Sequence, residues 1–319
     1  MKQLKFTPTL GITSKNFQMI ISTCLPKGQE PPSEHILIDL GEGDQLSCQI
    51  STPVNWKTNG KTIVLIHGLG GSHSSRYMVR MARKLYARND KVVRVNLRNC
   101  GSGVGLSKRP YCGGNSHDIQ KVLEYLKKQS PDSDIQLIGY SLGGNIALKL
   151  AGELGQEADR LIKTVIAVCA PYNLEHAVES IQKKENRIYH SYFLKSILKG
   201  SHRWTSEKIH TIFEFDEKVT GPSWGYAGAK EYYHSCSCEH FLTNIRCETH
   251  LLFARDDPFV CIEKFKKVSF SEYVFPWFSD HGSHMGFLGS TKSEFQWMDS
   301  LLLNWTEGDF DSDCFEKNQ

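Results

Sequence analysis

The chain has 319 residues, enough for a large buried core, and its 38 Lys and Arg against 35 Asp and Glu leave a net charge of only +3. This near balance excludes the strongly basic surface typical of nucleic-acid binding, so we expect no nucleic-acid partner. No stretch approaches the roughly 18 apolar residues of a membrane-spanning helix, so we expect no transmembrane segment and at most weak peripheral contact with a membrane.

The cysteines and the N-terminus favour a reducing compartment. Ten cysteines are spread along the chain without the regular spacing of a disulfide framework. The first residues, MKQLKFTPTLG, lack the apolar core of a secretory signal. We therefore expect free thiols and a cytoplasmic location.

Strand and helix patterns alternate along the first half of the chain. Residues 35–40 and 46–50 alternate apolar and polar side chains around a Gly-Glu-Gly turn, which predicts a β-hairpin. Short apolar runs predict buried strands at residues 63–66, 92–97, 135–138 and 164–169. Apolar residues at helical spacing predict helices near residues 78–85, 119–126 and 146–150. The alternation predicts an α/β fold with a mainly parallel sheet and helices on both faces.

The alternation stops after Pro171 and resumes about seventy residues later. Residues 172–243 are polar, aromatic and mostly helical in pattern, whereas residues 249–254 and 272–275 again predict strands, with a helix starting near residue 262. An insertion at this point usually lies over the carboxyl ends of the strands, where ligands bind. We therefore expect a single domain, residues 1–319, with an inserted helical cap subdomain at residues 172–243.

A serine between glycines marks the corner where the 135–138 strand becomes a helix. The sequence Gly139-Tyr140-Ser141-Leu142-Gly143 matches G-x-S-x-G, in which a tight turn presents the serine oxygen above a sheet. A serine in a glycine-rich turn is alternatively a simple helix cap. The flanking strand and helix favour a catalytic nucleophile, Ser141.

A serine nucleophile needs a histidine base and a carboxylate that orients it, in the chain order Ser, Asp or Glu, His. After the 249–254 strand come Asp256 and Asp257, and after the last strand come His281 and His284. We favour Asp257, because the Pro-Phe-Val that follows resembles the usual continuation of this loop, with Asp256 as the alternative. We favour His284 because small residues flank it and allow its loop to approach the serine.

The glycine-rich sequence HGLGG, residues 67–71, follows the 63–66 strand and predicts an oxyanion hole. Its backbone can turn an amide toward the serine, and we expect the amides of Leu69 and Leu142 to be the two donors. His67 is expected to hold this loop by a hydrogen bond.

Five motifs together resemble the YheT-like branch of the α/β-hydrolase family: HGLGG, NLRNCG, GYSLGGN, ARDDPFV and GSHMGFLG. Residues 211–233 of the predicted cap also resemble that branch, and the likeness extends from about Phe6 to Leu303. It implies the α/β-hydrolase fold and a serine carboxylester hydrolase with the triad Ser141, Asp257 and His284. Members are linked to short acyl esters, and animal relatives to phospholipid acyl chains.

These observations predict a serine esterase that cleaves small-molecule or lipid esters of short or medium acyl chain through an acyl-enzyme, without a metal or an organic cofactor. One alternative is an acyltransferase with the same triad, and another is a non-catalytic binding protein on a hydrolase scaffold. The aromatic residues Tyr189, Tyr192 and Phe193 either line an acyl pocket or belong to the core.

Overall fold

The structure is a computed structural model that describes residues 1–289 and 296–310, so the predicted domain of residues 1–319 ends beyond the described part. Within these residues, nine strands form one sheet in the order β1-β9-β8-β7-β6-β4-β5-β3-β2. The strands are β1 (Lys2–Gln3), β2 (Glu34–Gly41), β3 (Asp44–Ser51), β4 (Thr62–Ile66), β5 (Lys91–Val95), β6 (Ile135–Tyr140), β7 (Thr164–Val168), β8 (Glu248–Ala254) and β9 (Val274–Ser279).

The sheet is mainly parallel, as the sequence predicts. Among the nine strands of the described residues, only the β2–β3 and β3–β5 pairs are antiparallel, and β2 and β3 form the expected hairpin. Pairs from β5 through β4, β6, β7, β8 and β9 to β1 are parallel. The central strands are apolar and buried along their whole length, which is typical of a sheet covered on both faces.

Helices cover both faces of the sheet, which confirms the predicted layering. The helices are α1 (Lys15–Cys24), α2 (Arg76–Ala87), α3 (Ser116–Gln129), α4 (Leu142–Leu154), α5 (Leu174–Ile181), α6 (Arg187–Leu198), α7 (Ile212–Phe215), α8 (Gly221–Ser223), α9 (Ala229–Cys236), α10 (Ile262–Phe265) and α11 (Trp297–Thr306). Apolar residues of α2 and α11 pack in one core on one face, whereas those of α3 and α4 pack in a second core on the other.

Helices α5 to α9 all lie in the chain between β7 and β8, in the region where the strand pattern is interrupted. Five residues, Asp216–Thr220, form a π-helical turn that joins α7 to α8. The chain is thus helical here, as its pattern indicates. Its interpretation as a cap over a binding site stays a prediction.

The last strand differs from its predicted bounds of residues 272–275, because β9 covers Val274–Ser279 and contains Pro276. Proline disfavours an interior strand, since it has no N–H to donate. The sheet accepts Pro276 because β1, which is only two residues long, pairs with Trp277 and Phe278 and not with the proline. The parallel strands therefore still end together.

The loops that follow β4, β6, β8 and β9 leave the sheet at one edge, because these strands are parallel. They carry the HGLGG sequence, Ser141, the two aspartates and the two histidines that the sequence singles out. In the part of the chain that the structure describes, no helix is long and apolar enough to cross a membrane.

Candidate active site

Ser141 occupies a strained turn between β6 and α4. Its backbone has φ 50° and ψ −118°, a conformation that costs roughly 1–3 kcal/mol for a residue with a side chain. A Cβ atom on Gly139 would collide with the backbone of Gly143, and one on Gly143 would collide with the carbonyl of Ile66. The two glycines therefore let the turn close against helix α4 and strand β4.

His284 lies in a second strained loop. Its neighbours Ser283 and Met285 have φ values of 54° and 63°, and Phe287 has φ 41°. The carbonyl of Gly282 accepts hydrogen bonds from the backbone N–H groups of Gly286 and Phe287, both at 2.9 Å. These bonds close the loop and fix the direction in which His284 points.

The three predicted residues meet at hydrogen-bond distance. Ser141 Oγ lies 2.8 Å from His284 Nε2, and His284 Nδ1 lies 2.8 Å from Asp257 Oδ2. The second carboxylate oxygen, Asp257 Oδ1, accepts the backbone N–H groups of Phe259 and Val260 at 2.8 and 3.0 Å. The side chains of Asp257 and His284 are only 1% and 7% exposed. This arrangement suits removal of the Ser141 proton by a histidine that the carboxylate orients.

The alternative residues Asp256 and His281 point elsewhere. Asp256 Oδ1 accepts the backbone N–H of Ser283 at 2.7 Å, and its Oδ2 lies 3.9 Å from His281 Nδ1. Burial raises the pKa of Asp256, and the side chain of His281 is half exposed. Asp256 thus holds the loop that carries His284, a contact that the sequence does not reveal.

His67 anchors the HGLGG loop through both ring nitrogens. The backbone N–H of Leu97 donates to Nε2 at 3.1 Å, so the proton lies on Nδ1, which donates to the carbonyl of Gly68 at 2.8 Å. Burial lowers the pKa of His67 to about 4, so the ring is neutral near pH 7. The expected role of His67 in holding this loop is confirmed.

The HGLGG loop passes close to Ser141. A Cβ atom on Gly68 would lie 3.1 Å from the Cβ of Ser141, and one on Gly70 would lie 2.7 Å from the Cβ of Ser196 in α6. The predicted donor Leu69 lies between these two glycines. The other predicted donor, Leu142, is the first residue of α4, where backbone N–H groups have no partner within the helix.

Aromatic rings connect helix α6 to the histidine. The ring of Phe259 lies 4.9 Å from that of His284 and contacts Tyr189 at 5.6 Å and Phe193 at 5.9 Å. Tyr189 and Phe193 are partly buried against the core, whereas Tyr192 is 61% exposed. Tyr189 and Phe193 therefore lie beside the candidate site and also pack against the core, so they fit both interpretations of this aromatic group. Tyr192 lies at the surface and fits neither.

Helix α1 also supports the histidine loop, and sequence reasoning missed it. Gln18 is fully buried, accepts the backbone N–H of Leu288 at 2.6 Å, and donates to the carbonyls of Leu288 and Ile12 at 3.1 and 2.6 Å. A Cβ atom on Gly286 would lie 2.9 Å from the Cβ of Gln18. No local motif signals this contact, because Gln18 and Leu288 are 270 residues apart.

One group of described side chains has the donor types of a metal site: Cys169, Asp257 and His284, whose donor atoms all lie within 4.8 Å. The carboxylate and imidazole atoms that would bind an ion already contact each other at 2.8 Å. Burial raises the pKa of the Cys169 thiol, which disfavours the thiolate that metals prefer. These residues therefore suit the serine–histidine contact better than metal binding.

A family model described as the alpha/beta hydrolase fold matches residues 61–290. The match covers most of the chain, and the protein therefore belongs to the alpha/beta hydrolase family. The predicted fold class is thereby confirmed.

Particular relatives include YheT of Escherichia coli, a provisionally assigned esterase, 26% identical over 316 residues covering 94% of this chain and 92% of that protein. This similarity confirms the predicted resemblance to the YheT-like branch. Human phospholipase ABHD3 is 24% identical over 85% of this chain and 68% of its own length. Monoacylglycerol lipase of Saccharomyces cerevisiae is 29% identical over 62% of this chain, a match spanning about half (48%) of the yeast protein.

Solved structures show the same fold at low sequence identity. The esterase Pf2001 of Pyrococcus furiosus has a TM-score of 0.59 at 15% identity, covering 95% of this chain and 99% of that chain. Est1E of Butyrivibrio proteoclasticus, solved with ferulic acid, has a TM-score of 0.55 at 16% identity, covering 86% and 98%. The chain is thus an alpha/beta hydrolase with esterase- and lipase-type relatives.

Proposed function

We propose that this protein is a carboxylic ester hydrolase that acts through an acyl-enzyme on Ser141. The observation that carries the proposal is the continuous contact from Ser141 Oγ through both nitrogens of His284 to Asp257, with 2.8 Å at each step. The buried carboxylate favours the imidazolium that forms when His284 takes the serine proton. Esterase and lipase relatives support the same reaction class.

The reaction follows from these positions. His284 Nε2 removes the proton of Ser141 as Oγ forms a bond to the ester carbonyl carbon. The tetrahedral intermediate then expels the alcohol, which leaves with the proton from His284, and the acyl group stays on Oγ. A water gives its proton to His284 and its oxygen to the acyl carbon, and Ser141 recovers its proton as the acid departs. No metal or organic cofactor takes part in these steps.

The negative oxygen of each tetrahedral intermediate needs two donors, and we assign the backbone amides of Leu69 and Leu142. The close approach of Gly68 to Ser141 supports the first, and the position of Leu142 at the start of α4 supports the second. Loss of one such donor typically costs about 10²- to 10³-fold in rate.

Residues 172–243 act as a helical cap on a single domain in this proposal. The approach of Ser196 to Gly70 and the contacts from Phe193 through Phe259 to His284 support it. Partly buried aromatic rings beside the histidine favour an apolar acyl group of short or medium length, in a small-molecule or lipid ester. The nine free cysteines among the described residues support action in a reducing compartment such as the cytoplasm.

The test is hydrolysis of p-nitrophenyl esters of increasing acyl length by the wild type and by Ser141→Ala. We expect turnover that peaks at short or medium chains, and loss of at least about 10³-fold in kcat/KM in the variant. Unchanged turnover in Ser141→Ala would contradict the proposal. Adding an alcohol acceptor separates hydrolysis from acyl transfer: more ester product than free acid would assign an acyltransferase.

A further inference from the structure

Exposed apolar side chains of α1, of the turn before it and of α6 form what we call the α1–α6 face. It consists of Leu10 (96% exposed), Phe17 (56%), Ile20 (43%), Ile188 (68%) and Tyr192 (61%). Large apolar side chains exposed to this degree are normal when scattered singly, but a contiguous group indicates a contact surface.

A side-chain hydrogen bond links the two helices. Tyr189 of α6 donates a hydrogen bond from its hydroxyl to Asn16 Oδ1 of α1 at 3.0 Å. Phe17 follows Asn16 directly, and Ile188 precedes Tyr189, so the hydrogen bond brings the exposed apolar side chains of the two helices into one neighbourhood.

Each helix presents these residues on one side. In α1 the buried residues are Gln18 and Met19, whereas Phe17 and Ile20 are three positions apart and both exposed. In α6, Ile188 and Tyr192 are four positions apart, and Lys195 continues the same exposed side. Apolar and basic side chains thus share one exposed side of α6.

Charge is distributed unevenly between this face and the rest of the molecule. Residues 7–29 and 187–203 contain six Lys and Arg and no Asp or Glu, whereas the whole chain has 38 Lys and Arg and 35 Asp and Glu. These two segments therefore carry +6 and the remainder of the chain −3, with Lys27 paired at 2.9 Å to Glu30, which directly follows the first segment. Basic residues near an anionic membrane are attracted to its lipid head groups.

The same face adjoins the candidate active site. Helix α6 carries Ser196, which packs on Gly70 of the HGLGG loop, and Phe193, which contacts Phe259 beside His284. Helix α1 holds the histidine loop through Gln18. A lipid surface that covers the α1–α6 face would therefore lie against the two helices that contact the HGLGG loop and the histidine loop.

We propose that the α1–α6 face docks on an anionic lipid surface, with its aromatic and aliphatic side chains in the interface and its lysines and arginines on the head groups. The functional reason for a lipid-binding face near Ser141 rests on the proposed ester hydrolysis. Docking itself does not require catalysis. A lipid ester in the docked membrane surface would then enter the site near the proposed nucleophile Ser141.

The test is flotation of the full chain with vesicles of phosphatidylcholine alone or with about one third phosphatidylglycerol. We expect binding to the anionic vesicles that weakens at high salt. Phe17→Ser with Ile188→Ser should reduce partitioning about tenfold or more, and so should Lys195→Gln with Lys199→Gln.

Matched controls lie in the loops before β4, β7 and β9, at the amino-terminal ends of these parallel strands and so on the opposite side of the sheet from the candidate site. Val54→Ser with Tyr273→Ser removes exposed apolar side chains there, and Lys57→Gln with Lys163→Gln removes exposed charges. We expect both controls to bind vesicles as the wild type does. The thermal unfolding midpoint and hydrolysis of a water-soluble ester show that each variant is folded.

Absence of vesicle binding, equal losses in variants and controls, or equal binding to neutral and anionic vesicles would each overturn the docking proposal. Capture of another protein by this face without any vesicle binding would assign it to a protein partner instead. Ser141→Ala should bind vesicles as the wild type does while hydrolysing no ester. Vesicle binding by a wild type that cleaves no ester would refute the hydrolase function alone.

Discussion

Asp256 and Asp257 are neighbours in the chain but have different partners. Asp257 contacts His284 Nδ1, whereas Asp256 contacts the backbone N–H of Ser283 and, more distantly, His281. The two residues lie in the turn that follows β8, which the Asp257 N–H closes on the carbonyl of Ala254 at 3.2 Å, and in this turn only the Asp257 side chain faces the imidazole. The sequence therefore limits the acid to two candidates, and the loop conformation decides between them.

We predict a large difference between Asp257→Asn and Asp256→Asn. Without the Asp257 carboxylate, His284 loses the partner that orients it and stabilises its charged form, so kcat should fall about 10³- to 10⁴-fold. Asp256→Asn keeps an oxygen that can accept the Ser283 N–H and should cost about tenfold or less. Steady-state hydrolysis of one p-nitrophenyl ester measures both. Equal losses would show that the two carboxylates share the role.

The local motifs were sufficient to select Ser141 and His284 as candidates, because glycines beside each residue indicate a tight turn. Gln18 could not be predicted, since its partners lie in the loop at Leu288 and in the segment at Ile12. Such a contact depends on how the ends of the chain meet and leaves no local pattern.

Among the elements, helix α1 acts as a support for the histidine loop. Gln18→Leu keeps the side-chain volume but leaves the backbone groups of Leu288 without their partner, so the loop should lose its fixed position. We predict that kcat falls about tenfold with little change in KM. Thr23→Val, an exposed change on the same helix, is the control and should retain wild-type kcat. A wild-type kcat in Gln18→Leu would contradict a positioning role.

The π-helical turn between α7 and α8 buries an acid. Asp216 accepts a hydrogen bond from the Tyr233 hydroxyl at 2.8 Å, and burial raises its pKa to about 7. The unfolded chain, with an ordinary carboxyl pKa of 3.8, releases this proton at lower pH than the folded chain does. The contribution of Asp216 to stability is therefore greatest at acid pH and is lost as pH rises through 7.

We predict that Asp216→Asn, which cannot ionise, gains stability over the wild type as pH rises. Between pH 5.5 and 8.5 the difference in free energy of unfolding should grow by about 2 kcal/mol, because each pKa unit corresponds to about 1.4 kcal/mol. Urea unfolding of both proteins at the two pH values measures it. Glu217→Gln, at the next position of the same turn, is a control in which this growth should be absent. A difference for Asp216→Asn that does not change with pH would mean that the folded carboxyl ionises normally.

At the scale of the whole molecule, alternating strand and helix patterns predict the parallel sheet and its two helical layers. The sequence also predicts a helical insertion between β7 and β8, but it does not reveal the contacts that hold these helices, because their partners are distant in sequence. Asn145 of α4 donates to the carbonyls of Gly113 and Cys236 and accepts the N–H of Cys238. Tyr232 contacts the N–H of Gly113 at 2.8 Å in the same region. These bonds join the helical segment to α4, the helix that follows Ser141.

The most direct test of the catalytic assignment is reaction of the full chain with a fluorophosphonate, followed by mass spectrometry of its peptides. We predict one added phosphonyl group, located on Ser141, with no labelling in Ser141→Ala or in heat-unfolded protein and much slower labelling in His284→Ala. A protein that remains unlabelled, or that carries the group on another residue with equal efficiency in Ser141→Ala, would contradict the assignment.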